Sequence, residues 1–156
     1  GQAFLANPDY EAKDFVFSAR DRWDEITDCS RTIVGPRYKY IYNFMPEVPF
    51  DARQAYLDKD NVRPILPLLR TMHQAGELNP DQAYFFQPEK EIEQLYDLSE
   101  DPFELHNLAT DPEHRSVKKE LNSRLFQWIE SSGDRGLEKD ANGTWMPKSE
   151  ASNSKR

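Results

Sequence analysis

The sequence predicts an α+β fold: a small, about four-stranded antiparallel sheet packed against a long C-terminal helix, with extra short helices in an insertion at 51–86. Three observations carry this. Tyr38, Tyr40, Tyr42 and Phe44 recur at period two, the pattern of a strand with one aromatic face. Val117, Leu121, Leu125, Trp128 and Ile129 recur at spacings of three and four, a single apolar helical stripe. Between them, Glu93–Ala109 compresses a strand, a turn and an apolar knot into one short stretch.

In chain order, Gly1–Asp14 is a lead-in with a turn at Asn7-Pro8-Asp9, and Phe15–Arg20 alternates as a strand. A run of mixed charge around one tryptophan follows, Arg20-Asp21-Arg22-Trp23-Asp24-Glu25. Such a run is ordinarily a solvated loop. Its sharper reading is a pocket rim, with arginines for anionic groups and carboxylates for hydroxyls. Arg31–Val34 and Arg37–Phe44 form a hairpin around Gly35-Pro36, and the aromatic face of its second arm reads as sheet packing before it reads as a ligand platform.

Met45-Pro-Glu-Val-Pro49 is a connector, because two prolines remove backbone donors. Asp51 caps a short helix through about Leu57. The helix at Pro64–Ala75 becomes regular near Pro67 and stops at Gly76; His73 on it reads as a surface or packing residue. Asn79-Pro80 opens another short helix, ending in the apolar Tyr84-Phe85-Phe86. Gln94–Leu98 is a strand, Ser99–Pro102 a turn, and Phe103, Leu105 and Leu108 the knot, expected to be buried with Tyr96 beneath the following helix. That helix runs from Pro112 to about Ser131, capped by Asp111 and ended at Gly133. The expected division is one domain over 1–137 and a flexible tail over 138–156, a segment that includes an Asn142-Gly-Thr144 glycosylation tripeptide.

The totals exclude several classes. A length of 156 residues fits one domain, and a net charge of −8 argues against a nucleic-acid backbone as partner. The hydrophobic share of 37% is low for a self-contained globule, so a disordered part or a piece of something larger is expected. No apolar run is long enough to span a membrane, and the start at Gly1 shows neither signal peptide nor Met, which reads as a processed or fused start. The single Cys29 has no partner for a disulfide within the chain.

Catalytic chemistry is equally sparse. There is no phosphate-binding glycine loop and no nucleophile elbow, and His73, His106 and His114 are scattered. Asp58-Lys-Asp60 lacks the glycine and distal glutamate of a calcium loop. Asp28 beside Cys29 raises a thiol pKa rather than activating it. A self-contained enzyme is not expected.

Gln94-Leu-Tyr-Asp-Leu-Ser-Glu-Asp-Pro-Phe-Glu-Leu-His-Asn-Leu-Ala109 resembles the C-terminal signature of the formylglycine-dependent sulfatases. Phe15–Arg22, Arg31–Asn43 and Asn43–Phe50 are similar to the heparan N-sulfatase branch in particular, and the match runs from about Phe4 to Gly136. The resemblance implies an alkaline-phosphatase-like sulfatase C-terminal subdomain, inactive alone, that completes the fold and one wall of the substrate cleft. It implies that calcium and formylglycine belong to a missing N-terminal catalytic domain, this domain's partner, and that no cofactor sits in this chain. Cys29-Ser30-Arg31 departs from the nucleophile motif, so Cys29 is not the nucleophile.

The resemblance further implies a sulfated carbohydrate, such as a glycosaminoglycan fragment, as substrate of the intact enzyme, and a secreted, periplasmic or lysosomal setting. Neither nucleic acid nor membrane is an expected partner. The expected substrate-binding residues are Arg20, Arg22, Asp24 and Glu25, with no catalytic residue and no metal ligand. The alternative is a stand-alone protein- or carbohydrate-binding module using the face of Tyr38, Tyr40 and Tyr42.

Overall fold

The computed structural model describes residues 13–56, 58 and 64–148; the turn read at Asn7–Asp9, the residues Leu57, Lys59 and Asp60, and the chain from 149 onward lie outside them. Strands β1 (Val16–Trp23), β2 (Ile26–Val34), β3 (Tyr38–Asn43) and β4 (Glu93–Asp97) form one antiparallel sheet in the order β1-β2-β3-β4. Helices α1 (Ile65–Ala75) and α2 (Pro80–Tyr84) lie in the connection between β3 and β4. A 3-10 turn at Pro112–His114 leads into α3 (Arg115–Ser132), followed by a hairpin of β5 (Leu137–Lys139) and β6 (Trp145–Pro147). This is the α+β architecture expected, with the hairpin added in a segment read as tail; Leu137 is buried in the core there and Lys139 lies over the Trp145 ring at 4.8 Å.

Period two in the strands and period 3.6 in α3 place one apolar face against the other. Leu121, Leu125 and Ile129 of α3 are buried with Ile33, Tyr40, Leu95 and Cys29 of the sheet. Trp128 stacks on Phe17 with ring centroids 5.0 Å apart, and Phe126 meets Tyr42 edge-on at 5.2 Å. The tyrosine face therefore turns inward. Tyr40 is fully buried, and its hydroxyl donates to Glu93 at 2.7 Å and accepts from Asn122 at 2.8 Å. Tyr38 and Tyr42 pack against the same cluster. The face proposed for a stand-alone binding module is thus consumed by α3.

The 93–109 stretch departs from expectation in an informative way. Tyr96 is buried, but on the sheet face away from α3, where Gln94 donates to its hydroxyl at 2.9 Å; Leu95 is the residue that meets the helix. Phe103 is 81% exposed and Leu105 47% exposed, so the knot is not core; of its three residues Leu108 alone packs against the cluster. Polar groups hold the loop instead. Asn107 Oδ1 accepts the backbone N–H groups of Leu95 (2.9 Å) and Ala109 (3.0 Å), while its amide donates to the Glu93 carbonyl at 3.1 Å. Asp97 is clasped by Arg37 from the neighbouring loop and accepts from Ser99 at both backbone and hydroxyl. The loop is pinned to β4 at three polar points, so its apolar side chains need not turn inward.

Helix ends follow the sequence closely. Asp111 accepts from the Glu113 N–H, Asn79 and Gln82 form a reciprocal capping box, and Gly76 (φ 71°) and Gly133 (φ 61°) take the left-handed conformation that stops α1 and α3. The helix expected from Asp51 does not form over the described residues 51–56. The Asp51 carboxylate is taken by Arg70 at 2.6–3.1 Å and is not available as a cap.

Candidate functional site

The β1–β2 hairpin gathers the expected binding residues at its tip. Trp23 pairs with Ile26, leaving Asp24 and Glu25 as a two-residue turn. Asp24 takes φ 56°, a left-handed conformation that aspartate tolerates better than most residues but at some cost. The register slips by one residue between Arg20 and Arg22, so Asp21 faces a bulge at Asp28 and Cys29. By the ordinary alternation of a strand, Asp28 faces the open side of the sheet and Cys29 the α3 side, where Asp21 also turns.

Arg22, Asp24 and Glu25 come together at the tip. Arg22 Nε donates to the Asp24 carbonyl at 2.5 Å. Asp24 Oδ2 accepts from Gln54 Nε2 at 2.8 Å, and Glu25 Oε1 accepts from the Ala55 N–H at 2.6 Å. That backbone N–H, which stabilises the ionised form, holds the Glu25 carboxyl below its ordinary range. Arg20 does not join them. It turns to the open face, where its Nε lies 3.3 Å from Asp28 Oδ2 and its guanidinium lies 5.7 Å from the Trp23 ring centre.

Behind Arg20 is a buried ion pair that local sequence pattern did not reveal. Lys90 Nζ and Asp28 Oδ1 are 2.6 Å apart, each side chain 3% exposed, with the Phe50 ring 5.9 Å from the ammonium. They border a cavity of about 280 Å3 on the open sheet face, with Ser30 and Asn43 among its other walls. Gln54, also missed, is 2% exposed, and its Oε1 is buried without a hydrogen-bond partner among the described residues. Gln54 and Lys90 lie 30 and 62 residues from Asp24 and Asp28, so no local spacing could signal either pair.

Chemically the tip presents a guanidinium and two carboxylates, groups that bind and orient. It holds no group poised for nucleophilic attack. Cys29, the sole thiol of the chain, is 2% exposed, and burial pushes its pKa up to about 12. Among the described residues no three His, Cys, Asp or Glu side chains are grouped to hold a metal ion. Likewise, no helix among them is long and apolar enough to cross a membrane.

Fold and site together define an α+β domain with a charged hairpin tip. No family model matches the chain. An ulvan-active sulfatase of Formosa agariphila is 36% identical over 157 residues, which cover 98% of this chain and 24% of that protein. Human N-sulphoglucosamine sulphohydrolase is 26% identical over 98 residues, covering 63% of this chain and 19% of that protein. A solved 2-O GAG sulfatase superposes with a TM-score of 0.46 at 22% identity, covering 80% of this chain and 18% of that one. The chain spans about a quarter of the length of the first curated relatives it matches. It belongs to the sulfatases and corresponds to their C-terminal domain. A formylglycine nucleophile does not fit Cys29, whose sulfur is sealed in the core beside Arg31 and Asp21.

Proposed function

We propose that this domain serves a sulfatase acting on sulfated sugars, in which it completes the fold and supplies one wall of the substrate cleft through the β1–β2 hairpin. Hydrolysis itself belongs to a catalytic domain that holds the formylglycine and the calcium, and this chain is inactive alone. The observation that carries the reading is the tip itself: an exposed Arg22–Asp24–Glu25 cluster on strained backbone, held from the side by Gln54 and Ala55. In this reading Arg22 binds a sulfate or carboxylate of the sugar, Asp24 and Glu25 accept hydroxyl hydrogen bonds, and Arg20 with Asp28 and Lys90 sets the base of the hairpin. The relationship to an ulvan-active sulfatase supports an anionic polysaccharide as the substrate class.

The test is kinetic. In the sulfatase carrying this domain, Arg22→Ala should lower kcat/KM towards a sulfated disaccharide by roughly tenfold or more. An unchanged kcat/KM removes the hairpin from the site.

A further inference from the structure

We infer that Arg70, on α1, is a remote positioning residue for the hairpin tip, acting through Asp51, Asp58 and Gln54. The inference rests on the reading of the tip as part of the substrate wall. Helix α1 has no fully buried apolar residue; Leu66, Leu69 and Met72 are half-buried, and the His73 ring stacks on Phe86 at 4.9 Å. Arg70 adds a directional hold. Its side chain is only 13% exposed, its Nε and Nη2 form a fork on Asp51, and its Nη1 donates to Asp58 Oδ1 at 2.6 Å. A planar fork closing on two carboxylates fixes direction as well as distance.

Asp58 passes that constraint on. Its other oxygen accepts from Arg53 Nε at 2.7 Å, and its N–H donates to the Gln54 carbonyl at 3.0 Å. Gln54 is therefore held at both ends, by its carbonyl towards Asp58 and by its side-chain amide towards Asp24, while the next residue, Ala55, gives its N–H to Glu25. The amide orientation that serves Asp24 leaves Gln54 Oε1 without a partner among the described residues. The bonds from Gln54 and Ala55 set the Asp24–Glu25 turn, whose backbone is itself strained. Polar bonds tie the insertion to the tip through Gln54 and Ala55, so loosening the far end frees the near one.

The experiment uses the sulfatase carrying this domain. Amide hydrogen exchange is followed by mass spectrometry for the peptide that holds Ala55 and, as internal controls, for peptides that hold Tyr40 and Leu95 in the sheet. In parallel, kcat and KM are measured for a sulfated disaccharide. Arg70→Gln should speed exchange of the Ala55 peptide at least tenfold with the sheet peptides unmoved, and raise KM at least fivefold. Arg70→Lys should restore both in part. Asp51→Asn, which loosens the same fork from the other side, should repeat the result and serves if Arg70→Gln does not fold. Unchanged Ala55 exchange in the variants overturns the positioning role alone. Faster Ala55 exchange with KM unmoved, or an unchanged kcat/KM in Arg22→Ala, overturns the substrate-wall reading, and the positioning role with it.

Discussion

Arg31 and Asp134, 103 residues apart in sequence, meet in a two-point ion pair with Nε–Oδ2 at 2.6 Å and Nη2–Oδ1 at 2.8 Å. Arg31 is fully buried on β2, and Asp134 stands just past the Gly133 stop of α3, so the pair ties the end of the helix to the middle of the sheet. Asp21 adds a contact to Nη2 at 2.7 Å, and the carbonyls of Arg20 and Ser30 take Nη1. A buried guanidinium is tolerable only when its donors are met in this way. Asp134→Ala should therefore cost about 3 kcal/mol in urea unfolding, since Arg31 would keep Asp21 but lose its closest partner. A loss within experimental error would show that the pair does not hold the helix end.

The core is expected to answer differently from the exposed knot. Leu125→Ala removes a fully buried side chain and should destabilise by ~2–5 kcal/mol. Leu105→Ala, for which the sequence alone leads one to expect the same penalty, should cost under ~1 kcal/mol because the side chain is half exposed. Equal losses at both positions would contradict the arrangement of the 103–109 loop.

Asn107→Ala should cost about 1–3 kcal/mol, because it leaves the Leu95 and Ala109 N–H groups and the Glu93 carbonyl without their partner. Asn107→Asp keeps the two accepted bonds and loses the donated one, so it should fall between. If the two variants unfold at the same urea concentration as the parent, the polar account of the signature stretch fails.

Stability should have an acid limb with a definite sign. Arg31 holds the Asp134 carboxyl below its ordinary value, and Arg37 does the same for Asp97. A carboxyl whose pKa is lower in the folded state stabilises fully above its unfolded value of about 3.9, and the contribution is lost as pH falls from there towards the folded value. The melting temperature should be flat with respect to these groups above about pH 5 and decline below about pH 4. Asp134→Asn should flatten part of that decline; Arg37 is 55% exposed, so solvent screening makes the Asp97 share smaller. A decline that begins near neutrality would point to other groups.

Cys29 should be silent towards a thiol reagent. At pH 8 a buried thiol with a pKa of about 12 has almost no thiolate and no access, so the native protein should not react over hours, and one equivalent should react in urea. Rapid labelling of the native chain would mean that the core opens at β2.

The periodic and local features were readable in advance. The aromatic alternation of β3, the stripe of α3, the Asn79 and Asp111 caps and the glycine stops all rest on interactions within a few residues, and the structure has them where the pattern puts them. The charged run at 20–25 was likewise visible as a cluster, though not that Arg20 leaves it for Asp28 while the other three remain at the turn. Readings failed where a side chain had two uses. Asp51 suits a helix cap, yet Arg70 takes it; Phe103 and Leu105 suit a core, yet Asn107 and Asp97 hold the loop without them.

The sequence by itself thus determined the class of fold, the order of the main sheet and of α3, and the kinship with sulfatases, because those are written in local periodicity, in caps and in one dense signature stretch; the final hairpin and the fate of Asp51 were not. The tertiary structure alone decided which face of the sheet the helix covers and which polar groups are buried together. Arg31 with Asp134, Lys90 with Asp28 and Gln54 with Asp24 are contacts between distant segments, settled by the register of the sheet and by the need of every buried charge for a partner. Neither condition is legible until the chain has closed on itself.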